Sequence, residues 1–368
     1  MSEGIHRVAI NTGGGDAPGL NAVIRAAVIA GLRNGWEMVG IRDGYNGVLE
    51  PDRYPGGGVI PLERESVRGI THLGGTILGT TNKGNPLAFP VRNEEGKVEI
   101  VDRSDEIVAS LSDLGIDAMI AIGGDGSLAI ANELALKGVR VIGVPKTIDN
   151  DLEETVVTFG YDSAVAFATE CIDRLHTTAE AHDRVMVVEV MGRYAGWIAV
   201  GAGVAATADA ILIPEIPYDL DPVAETIMDR ERAGREFSIV VVAEGAHERD
   251  GERSVVEKEA GRAERLSGIG ERVGERLEEM TGKDTRVVNL GHLLRGGGPT
   301  ARDRLLSLRF GAAAIRGLAR GCDGCMVALD PPEVRYVPLS HATRRLKTVP
   351  LDSDLICTAR ELGISFGD

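Results

Sequence analysis

Residues 117–144, DAMIAIGGDGSLAIANELALKGVRVIGV, decide the fold of this chain. The apolar run that ends at Ile122 predicts a buried strand, and the segment from Gly123 to Ser127 is a glycine-rich turn. Apolar-periodic residues continue to about Lys137 and predict a helix, after which residues 140–144 predict a second buried strand. A strand, a helix and a second strand in this order are typical of a parallel βαβ unit.

The same alternation of strands and helices extends in both directions from this unit. Strands are predicted at residues 7–12, 37–42, 185–190, 210–214, 238–243 and 285–290, and helices at about 20–34 and 299–320. Polar or glycine-rich turns follow several of these strands, and in open α/β sheets ligands bind at that edge. We therefore predict an α/β protein of two Rossmann-like lobes, each with a mostly parallel sheet, and an active site in the cleft between them.

The length of 368 residues suits two lobes better than one core. We place residues 1–160 and about 296–345 in the first lobe, and residues 161–295 with the C-terminal segment in the second. The stretch 248–281 contains no proline and many opposite charges at i,i+4, so it predicts exposed helices. The sequence assigns no function to that stretch.

Composition and charge argue against several classes of protein. A net charge of −16 is unfavourable for a general nucleic-acid binder. No apolar run approaches the ~20 residues that span a bilayer, and the first residues lack the regions of a signal peptide. We therefore expect a cytoplasmic protein that has neither a nucleic-acid nor a membrane partner.

The cysteine pattern indicates neither a disulfide framework nor a zinc site. Four cysteines in the whole chain are too few for a disulfide scaffold. Cys322 and Cys325 form a CxxC pair, but neither a second pair nor a histidine follows at the usual spacing of zinc ligands. The pair is therefore predicted to lie in a turn between a helix and a strand.

Two glycine-rich turns have the composition of phosphate-binding loops. Residues 13–19, GGGDAPG, lie between a predicted strand and a predicted helix, where backbone N–H groups form an anion site. Pro18 excludes a GxGxxG fingerprint, and the absence of a following Lys-Ser or Lys-Thr pair excludes a Walker A loop. Residues 123–127, GGDGS, repeat the design, with Asp125 as a Mg²⁺ ligand. The alternatives are a tight βα turn for the first segment and a helix cap for Asp125.

Residues 145–151, PKTIDND, follow the next predicted strand. Asp149 and Asp151 are two positions apart, and repulsion between neighbouring carboxylates suits one of them to act as a general base. Lys146 supplies a point charge for a phosphate group. The alternative is that the Asp-Asn-Asp segment only stabilises a turn.

Cations are concentrated at predicted strand ends although the chain as a whole is acidic. Arg184 and Arg286 lie where strands begin, Arg193 follows a strand, and His292 and Arg295 precede a glycine run. The guanidinium group matches phosphate oxygens in a bidentate manner. This set therefore indicates a site for a sugar phosphate.

Taken together, these motifs resemble those of the 6-phosphofructokinases. GGDAPG, GGDGS, PKTIDND, MGRYAGW and GHLLRGGGP occur in the order and spacing of that family, and the resemblance covers residues 8–329. It implies Mg²⁺-dependent transfer of a phosphoryl group to the 1-hydroxyl of fructose 6-phosphate, a step of glycolysis. A diacylglycerol- or NAD-kinase-like activity would share the GGDG turn alone.

The resemblance also implies roles for individual residues on the donor side. The donor would be bound by Gly15, Gly124, Asp125, Gly126, Ser127 and Lys146, with Asp125 as the Mg²⁺ ligand. Asp149 would be the base that takes the proton of the 1-hydroxyl, and Asp151 would support the metal site. Thr147 and Arg193 would position the transferring group and neutralise its charge.

A second set of residues is implied for the sugar phosphate. Beside Thr147, Asp149, Asp151 and Arg193, the sugar would be contacted by Met191, Gly192 and Glu244, and its 6-phosphate by Arg184, Arg286, His292 and Arg295. In this family the residues corresponding to Arg184 and Arg286 reach in from a neighbouring subunit. The resemblance therefore implies a homotetramer or a homodimer with sites shared between subunits.

Two positions bear on the phosphoryl donor. Pyrophosphate-using members of the family have Lys at position 146, as here, and usually Asp at position 126, where this chain has Gly126. A carboxylate at position 126 would crowd and repel a nucleotide α-phosphate, whereas Gly leaves room for it. ATP is therefore the predicted donor. The alternatives are a pyrophosphate-dependent enzyme and, less favoured, a non-catalytic sensor of sugar phosphates or nucleotides.

Two further departures from the family concern cations. Lys83 stands in a segment where the family commonly has an Arg, and it offers a point charge in place of a fork. Regulated bacterial members carry two arginines one turn apart on the first helix, whereas this chain has Arg25 and Ile29 there. We therefore expect weak or absent regulation by anionic effectors.

Overall fold

A computed structural model describes residues 4–92, 97–249, 251, 255–257, 265–266 and 268–368. The strands of this part of the chain are β1 Arg7–Thr12, β2 Glu37–Ile41, β3 Val59–Pro61, β4 Phe89–Arg92, β5 Val98–Val101, β6 Ala118–Gly123, β7 Val141–Thr147, β8 Phe159–Gly160, β9 Val185–Val190, β10 Ala210–Leu212, β11 Ser238–Ala243, β12 Val255–Glu257, β13 Arg265–Leu266, β14 Thr285–Asn289, β15 Cys325–Asp330 and β16 Glu333–Pro338. Its helices are α1 Leu20–Arg33, α2 Asn46–Leu49, α3 Ser104–Asp113, α4 Asp125–Leu136, α5 Tyr161–His182, α6 Trp197–Ala205, α7 Leu220–Arg232, α8 Ile269–Thr281, α9 Ala301–Ala319, α10 Leu339–Ala342 and α11 Asp354–Glu361, with 3-10 turns at Pro51–Arg53, Pro86–Ala88 and Gly291–Arg295.

The first sheet has the strand order β16-β15-β7-β6-β1-β2-β3, with the short β8 beside β7. Its central strands are parallel, and the edge strands β3 and β16 are antiparallel to their neighbours. Successive side chains point to opposite faces of a strand. Val8 and Ile10 of β1 pack with α1 and α9 on one face, while Ala9 packs with α3 and α4 on the other. Because both faces are buried, the central residues of β1, Val8–Ile10, are all apolar.

The second sheet has the order β10-β11-β9-β14, and all of its strand pairs are parallel. Helices α5, α6 and α11 cover the face to which Val188 and Val241 point. Helices α7 and α8 cover the opposite face, to which Val187 and Val240 point. The structure thus contains two covered parallel sheets, as the sequence predicted.

The chain passes between the two sheets three times: between β8 and α5, between β14 and α9, and between α10 and α11. The buried carboxylate of Asp303, in the first turn of α9, joins two of these passages. Its Oδ2 accepts hydrogen bonds from the backbone N–H and the Oγ of Ser163, at 2.8 and 2.7 Å. The Oγ of Ser163 in turn accepts one from the N–H of Thr300 at 3.0 Å. The start of α5 is therefore fixed to the start of α9.

We expect Asp303→Ala to lower the free energy of unfolding by about 3 kcal/mol, because it leaves the buried donors of Ser163 without an acceptor. Urea denaturation monitored by circular dichroism measures the change. Arg302→Ala is the matched control, since Arg302 is exposed and its ion pair with Asp162 spans 3.7 Å; we expect a change of less than about 0.5 kcal/mol. Equal effects of the two substitutions would contradict the assigned role of Asp303.

Most of the elements predicted from the sequence are present with small shifts at their ends. The strands predicted at 7–12, 185–190 and 238–243 coincide with β1, β9 and β11. The predicted helix at 299–320 is α9, which begins at Ala301 and ends at Ala319. Cys322 and Cys325 lie where α9 gives way to β15, so the turn predicted for the CxxC pair is confirmed.

The prediction of exposed helices for the whole stretch 248–281 was wrong. In its described part, β12 and β13 form an antiparallel pair, and the helix α8 begins only at Ile269. The helix is also not a fully exposed one, because Val273 and Leu277 are buried against the second sheet. Opposite charges at i,i+4 occur equally on the outer face of an amphipathic helix, so they did not reveal the buried face. The rest of the stretch lies outside the described residues.

No helix within the described ranges combines the length and the apolar character needed to cross a membrane.

Candidate active site

The carboxyl ends of β1, β6 and β7 lie side by side and bring the glycine-rich turns together. The N–H of Gly13 donates to the carbonyl oxygen of Ile122 at 2.9 Å, so the first turn is bonded to the strand that leads into the second. A Cβ atom on Gly13 would lie only 2.7 Å from the Oγ of Ser127. A larger residue at position 13 would therefore force the side chain of Ser127 to move where the two turns touch.

Lys146 joins the end of β7 to the first glycine turn. Its side chain is buried, and its Nζ donates a hydrogen bond to the carbonyl oxygen of Gly15. Burial lowers the pKa of Lys146 to about 8, and the nearby Arg295 guanidinium acts in the same direction. This amine is therefore still mostly protonated at neutral pH and loses its charge as the pH rises through about 8.

The two carboxylates that follow β7 lie in the same place. The Oδ1 of Asp149 is buried and has no hydrogen-bond partner among the described residues, while its N–H donates to the Oγ1 of Thr147 at 3.1 Å. Burial raises the pKa of Asp149, and Arg295, Arg193 and Lys146 oppose that rise. Asp149 therefore has an acceptor oxygen without a partner in the described residues and three cationic side chains nearby.

Asp151 is a second carboxyl group with a raised pKa. Burial, followed by the charges of Asp149 and Asp125, raises its pKa to about 7. The electrostatic coupling among these three acids shows that PKTIDND and GGDGS contribute carboxylates to one region. Such a group of hard oxygen donors, with Asp125 at the first position of α4, suits Mg²⁺.

The second sheet contributes residues from the carboxyl ends of β9 and β11. Met191 is buried, and Gly192 has φ 141°, a left-handed value that favours glycine; its Cβ would lie 2.8 Å from the carbonyl oxygen of Ala195. The Nε of Arg193 is buried and lacks a hydrogen-bond partner in the described part of the chain. Burial raises the pKa of Glu244 to about 7, and Arg193 opposes that rise. The charge of Arg193 thus lowers the pKa of one acid beside each sheet, Asp149 and Glu244.

Arg295 closes the cleft from the segment that follows β14. Its Nη1 donates to the carbonyl oxygen of Asp16 at 3.2 Å. A Cβ atom on Gly15 would lie 2.8 Å from the same Nη1, so the guanidinium group rests directly on the first glycine turn. The segment that follows β14 of the second sheet therefore meets the turn that follows β1 of the first sheet.

Asp125 and Gly126 are exposed at the N-terminus of α4, and Gly124 precedes them. Apart from its chain neighbours and the adjacent backbone of α4, no atom lies within 4 Å of the position that a Cβ on Gly126 would take. The space in front of this turn is thus open. Within the described ranges, no group of three or more His, Cys, Asp or Glu side chains is arranged to hold a metal ion alone. A Mg²⁺ ion here would need waters or donor phosphates as further ligands.

Two of the predicted phosphate ligands are not brought into this cleft by the chain's own fold. Arg184 and Arg286 lie where β9 and β14 begin, the opposite edge of the parallel sheet. Both pair with Asp284, with 2.5 Å between the Nε of Arg184 and the Oδ2 of Asp284. His292 is exposed on the 3-10 turn Gly291–Arg295.

Sequence reasoning missed Lys347, which contacts the PKTIDND turn from the passage between α10 and α11. No sequence pattern marks this residue, because it is a single lysine in an irregular segment almost 200 positions from its partner Asn150. Lys83 is exposed, and its N–H donates a hydrogen bond to the Oγ1 of Thr81. The carbonyl oxygen of Thr81 accepts a hydrogen bond from the N–H of Gly14. The segment with Lys83 therefore borders the first glycine turn.

Two glycine turns, clustered carboxylates and three convergent cations in a cleft between parallel sheets define a phosphoryl-transfer protein of the α/β class. The family model described as phosphofructokinase matches residues 7–318. The chain belongs to the phosphofructokinase family.

Relatives and solved structures agree with this membership. A protein of Chloroflexus aurantiacus named ATP-dependent 6-phosphofructokinase is 50% identical over 368 residues, which cover 100% of this chain and 99% of that protein. A protein of Amycolatopsis mediterranei named pyrophosphate–fructose 6-phosphate 1-phosphotransferase is 48% identical over 350 residues, or 94% of this chain and 97% of that one. The crystal structure of Pichia pastoris phosphofructokinase superposes with a TM-score of 0.79 at 30% identity. The match covers 94% of this chain and 36% of the longer yeast chain.

Proposed function

We propose that this protein is an ATP-dependent 6-phosphofructokinase, which converts ATP and fructose 6-phosphate to ADP and fructose 1,6-bisphosphate. The observation that carries the proposal is the state of Asp149, a buried carboxylate with an unused oxygen that faces cations from both lobes. A sensor of sugar phosphates needs no such base. The relatives named as ATP-dependent enzymes support the same activity.

Asp149 acts as the general base in this mechanism. As the 1-hydroxyl oxygen of the sugar forms a bond to the γ-phosphorus, its proton passes to the free Oδ1 of Asp149. The bond between the γ-phosphorus and the bridging oxygen breaks, and ADP leaves with the electron pair. Burial raises the pKa of Asp149, which favours uptake of the proton, and the charges of Arg295, Arg193 and Lys146 oppose that rise.

Lys146, Thr147 and Arg193 stabilise the transferring group. Phosphoryl transfer depends mainly on positioning and on charge stabilisation. Arg193 has a buried Nε without a partner in the described residues, so that N–H is available to a phosphoryl oxygen. Lys146 adds positive charge at the first glycine turn. The backbone of Gly15 and of Gly124 to Ser127 provides the N–H groups that bind the other donor phosphates.

Mg²⁺ fits this donor set, and we assign it to Asp125 with support from Asp151. When bound, it would neutralise charge on the donor phosphates. The chain's own contribution is an exposed carboxylate at a helix N-terminus and room for phosphate oxygens and waters beside it.

The sugar is assigned to the second lobe. Met191, Gly192 and Glu244 lie at the carboxyl ends of β9 and β11 and would contact the sugar ring. Arg295 and His292 would bind the 6-phosphate, whose binding energy can be used in the transition state. Arg184 and Arg286 lie at the opposite edge of the sheet, and we assign them to the 6-phosphate site of a neighbouring subunit. The enzyme is then a homodimer or homotetramer with shared sites.

Residues 1–160 and about 296–345 form the proposed donor lobe, and residues 161–295 with the C-terminal segment form the sugar lobe. Support comes from β15 and β16, which join the first sheet, and from α11, which packs on the second. We place the enzyme in the cytoplasm, with its glycolytic substrates.

A pyrophosphate-dependent phosphofructokinase is the second candidate. Lys146 occurs in such members of the family, and relatives 47–49% identical to this chain have that name. The open space at Gly126 favours ATP, because it leaves room for phosphates beyond the two of pyrophosphate. Incubation with ATP, Mg²⁺ and fructose 6-phosphate, followed by ³¹P NMR, tests the proposal. Sugar-dependent formation of ADP and a bisphosphate is expected, whereas binding without either product would favour the sensor.

We expect the donor's kcat/KM to fall as the pH rises above about 8. In the free enzyme Lys146 has its pKa lowered to about 8, so the ammonium group that attracts phosphate is present below that pH and is lost above it. Lys146→Met should weaken this basic limb and lower kcat/KM by roughly tenfold at neutral pH. Initial rates between pH ~6 and ~10 measure both effects.

Lys137→Met is the matched control for Lys146→Met. Lys137 is on the surface of the same lobe and pairs with Asp105. We expect its replacement to leave the pH profile unchanged. A basic limb of unchanged size in Lys146→Met would show that a group other than Lys146 titrates there.

A further inference from the structure

Lys347 is a lysine outside all of the motifs discussed above, in the passage between α10 and α11. Its Nζ donates hydrogen bonds to the Oδ1 of Asn150 at 3.0 Å and to the carbonyl oxygens of Thr155 and Val156 at 2.9 and 3.1 Å. An ammonium group has three N–H donors. All three are therefore matched to acceptors in one loop, the loop that carries Asp149.

The first of these acceptors controls how the loop is shaped. Asn150 has φ 51°, a left-handed value that is uncommon outside glycine, and it stands between Asp149 and Asp151. Its Oδ1 also accepts a hydrogen bond from the N–H of Thr158 at 3.1 Å. Because Lys347 and Thr158 hold the side chain of Asn150, the backbone at this residue is fixed. The directions of the two flanking carboxylates are fixed with it.

The same residue also reaches the second lobe. The N–H of Lys347 donates to the carbonyl oxygen of Asp151 at 2.8 Å, and its own carbonyl oxygen accepts from the Nε1 of Trp197 at 3.0 Å. Its Nζ lies 5.6 Å from the centroid of the Trp197 ring, within the range of a cation–π contact. Trp197 begins α6, a few positions after Arg193. Lys347 thus connects the loop that carries Asp149 to the segment that carries Arg193.

We propose that Lys347 is a positioning residue for the phosphoryl transfer, which holds the Asp149 loop at a fixed distance from the segment that carries Arg193. This role rests on the proposed function. It accounts for the burial of an ammonium group beside a catalytic loop, where a neutral side chain would avoid the desolvation cost. Burial lowers the pKa of Lys347 to about 8, and the charges of Asp151 and Glu153 oppose that shift.

Lys347→Met keeps most of the length of the side chain and removes its three donors. We expect kcat to fall about 100-fold, because displacement of a catalytic group by about 1 Å costs that much. The dissociation constant for fructose 6-phosphate, measured by equilibrium titration without a donor, should stay within about twofold of the parent value. Lys347→Arg restores the charge with a planar fork that cannot meet all three acceptors, so we expect about a tenth of parent kcat.

Arg345→Met is the matched control, because Arg345 lies two positions away and is exposed, with a surface ion pair to Glu153 at 2.9 Å. Its kcat should remain within about twofold of the parent value. If Lys347→Met does not fold, Lys347→Gln, which keeps two N–H donors, is held to the same criteria.

A Lys347→Met enzyme with kcat within about twofold of the parent would overturn the proposal. So would a loss of sugar binding as large as the loss of kcat, because that result would assign Lys347 to cleft assembly alone. A parent enzyme that turns over fructose 6-phosphate with neither ATP nor pyrophosphate would instead overturn the proposed function, and this role with it.

Discussion

Asp149→Asn should lower kcat by about 1,000-fold and leave the binding of fructose 6-phosphate within a few-fold of the parent value. The amide has the shape of the carboxylate but cannot take the proton of the 1-hydroxyl, and general-base catalysis contributes 10²–10⁴-fold. The Oδ1 of Asp149 has no competing partner in the described residues, so the substitution breaks no hydrogen bond there. Steady-state kinetics with ATP and equilibrium binding of the sugar phosphate measure the two quantities separately.

Asp151→Asn provides the comparison for this variant. Asp151 has a pKa raised to about 7 and is assigned to metal support. Its replacement should therefore mainly raise the Mg²⁺ concentration that is needed for half-maximal rate. Excess Mg²⁺ should then recover much of its activity but none of the activity of Asp149→Asn. An Asp149→Asn enzyme that keeps more than a tenth of parent kcat would exclude Asp149 as the base.

Gly126→Asp should lower kcat/KM for ATP by about 100-fold and raise the relative use of pyrophosphate. The new side chain would enter space that is empty within 4 Å, so it should fold without a clash. Its charge would lie beside Asp125 and repel the donor phosphates, and juxtaposed like charges cost several kcal/mol. Parallel measurements of kcat/KM for both donors give the ratio.

Gly126→Asn separates charge from size, because the amide is as large as the carboxylate and neutral. We expect Gly126→Asn to lower kcat/KM for ATP by less than about tenfold. The amide crowds the donor as the carboxylate does, but it does not repel the phosphates. Equal losses in the two variants would assign the effect to crowding. If neither variant affects the use of ATP, position 126 does not face the nucleotide.

The parts of the fold that depend on local pattern could be predicted from the sequence. Strands β1, β9 and β11 each contain an uninterrupted run of at least three apolar residues, Val8–Ile10, Val185–Val188 and Ile239–Ala243, and these runs locate the strands. The glycine-rich turn that begins at Gly13 is equally local, because its composition, GGGDAPG, marks a turn between β1 and α1 in the sequence itself. Such features require no knowledge of the tertiary structure.

The contacts that assemble the site across the cleft could not be predicted in this way. Arg295 bonds the carbonyl oxygen of Asp16, 279 positions earlier in the chain, and only the packing of the two lobes brings them together. Lys347 likewise has no local motif and acquires its role from the acceptors around it. In α8, the charge pattern concealed the buried Val273 and Leu277, because both an exposed and an amphipathic helix carry it.

Turnover of fructose 6-phosphate with Mg²⁺, measured in parallel with ATP and with pyrophosphate, tests the central claim most directly. The open space at Gly126 predicts that kcat/KM for ATP exceeds that for pyrophosphate by a large factor, with ADP and fructose 1,6-bisphosphate as products. A higher kcat/KM for pyrophosphate would contradict this prediction and would show that Lys146, not Gly126, decides the donor.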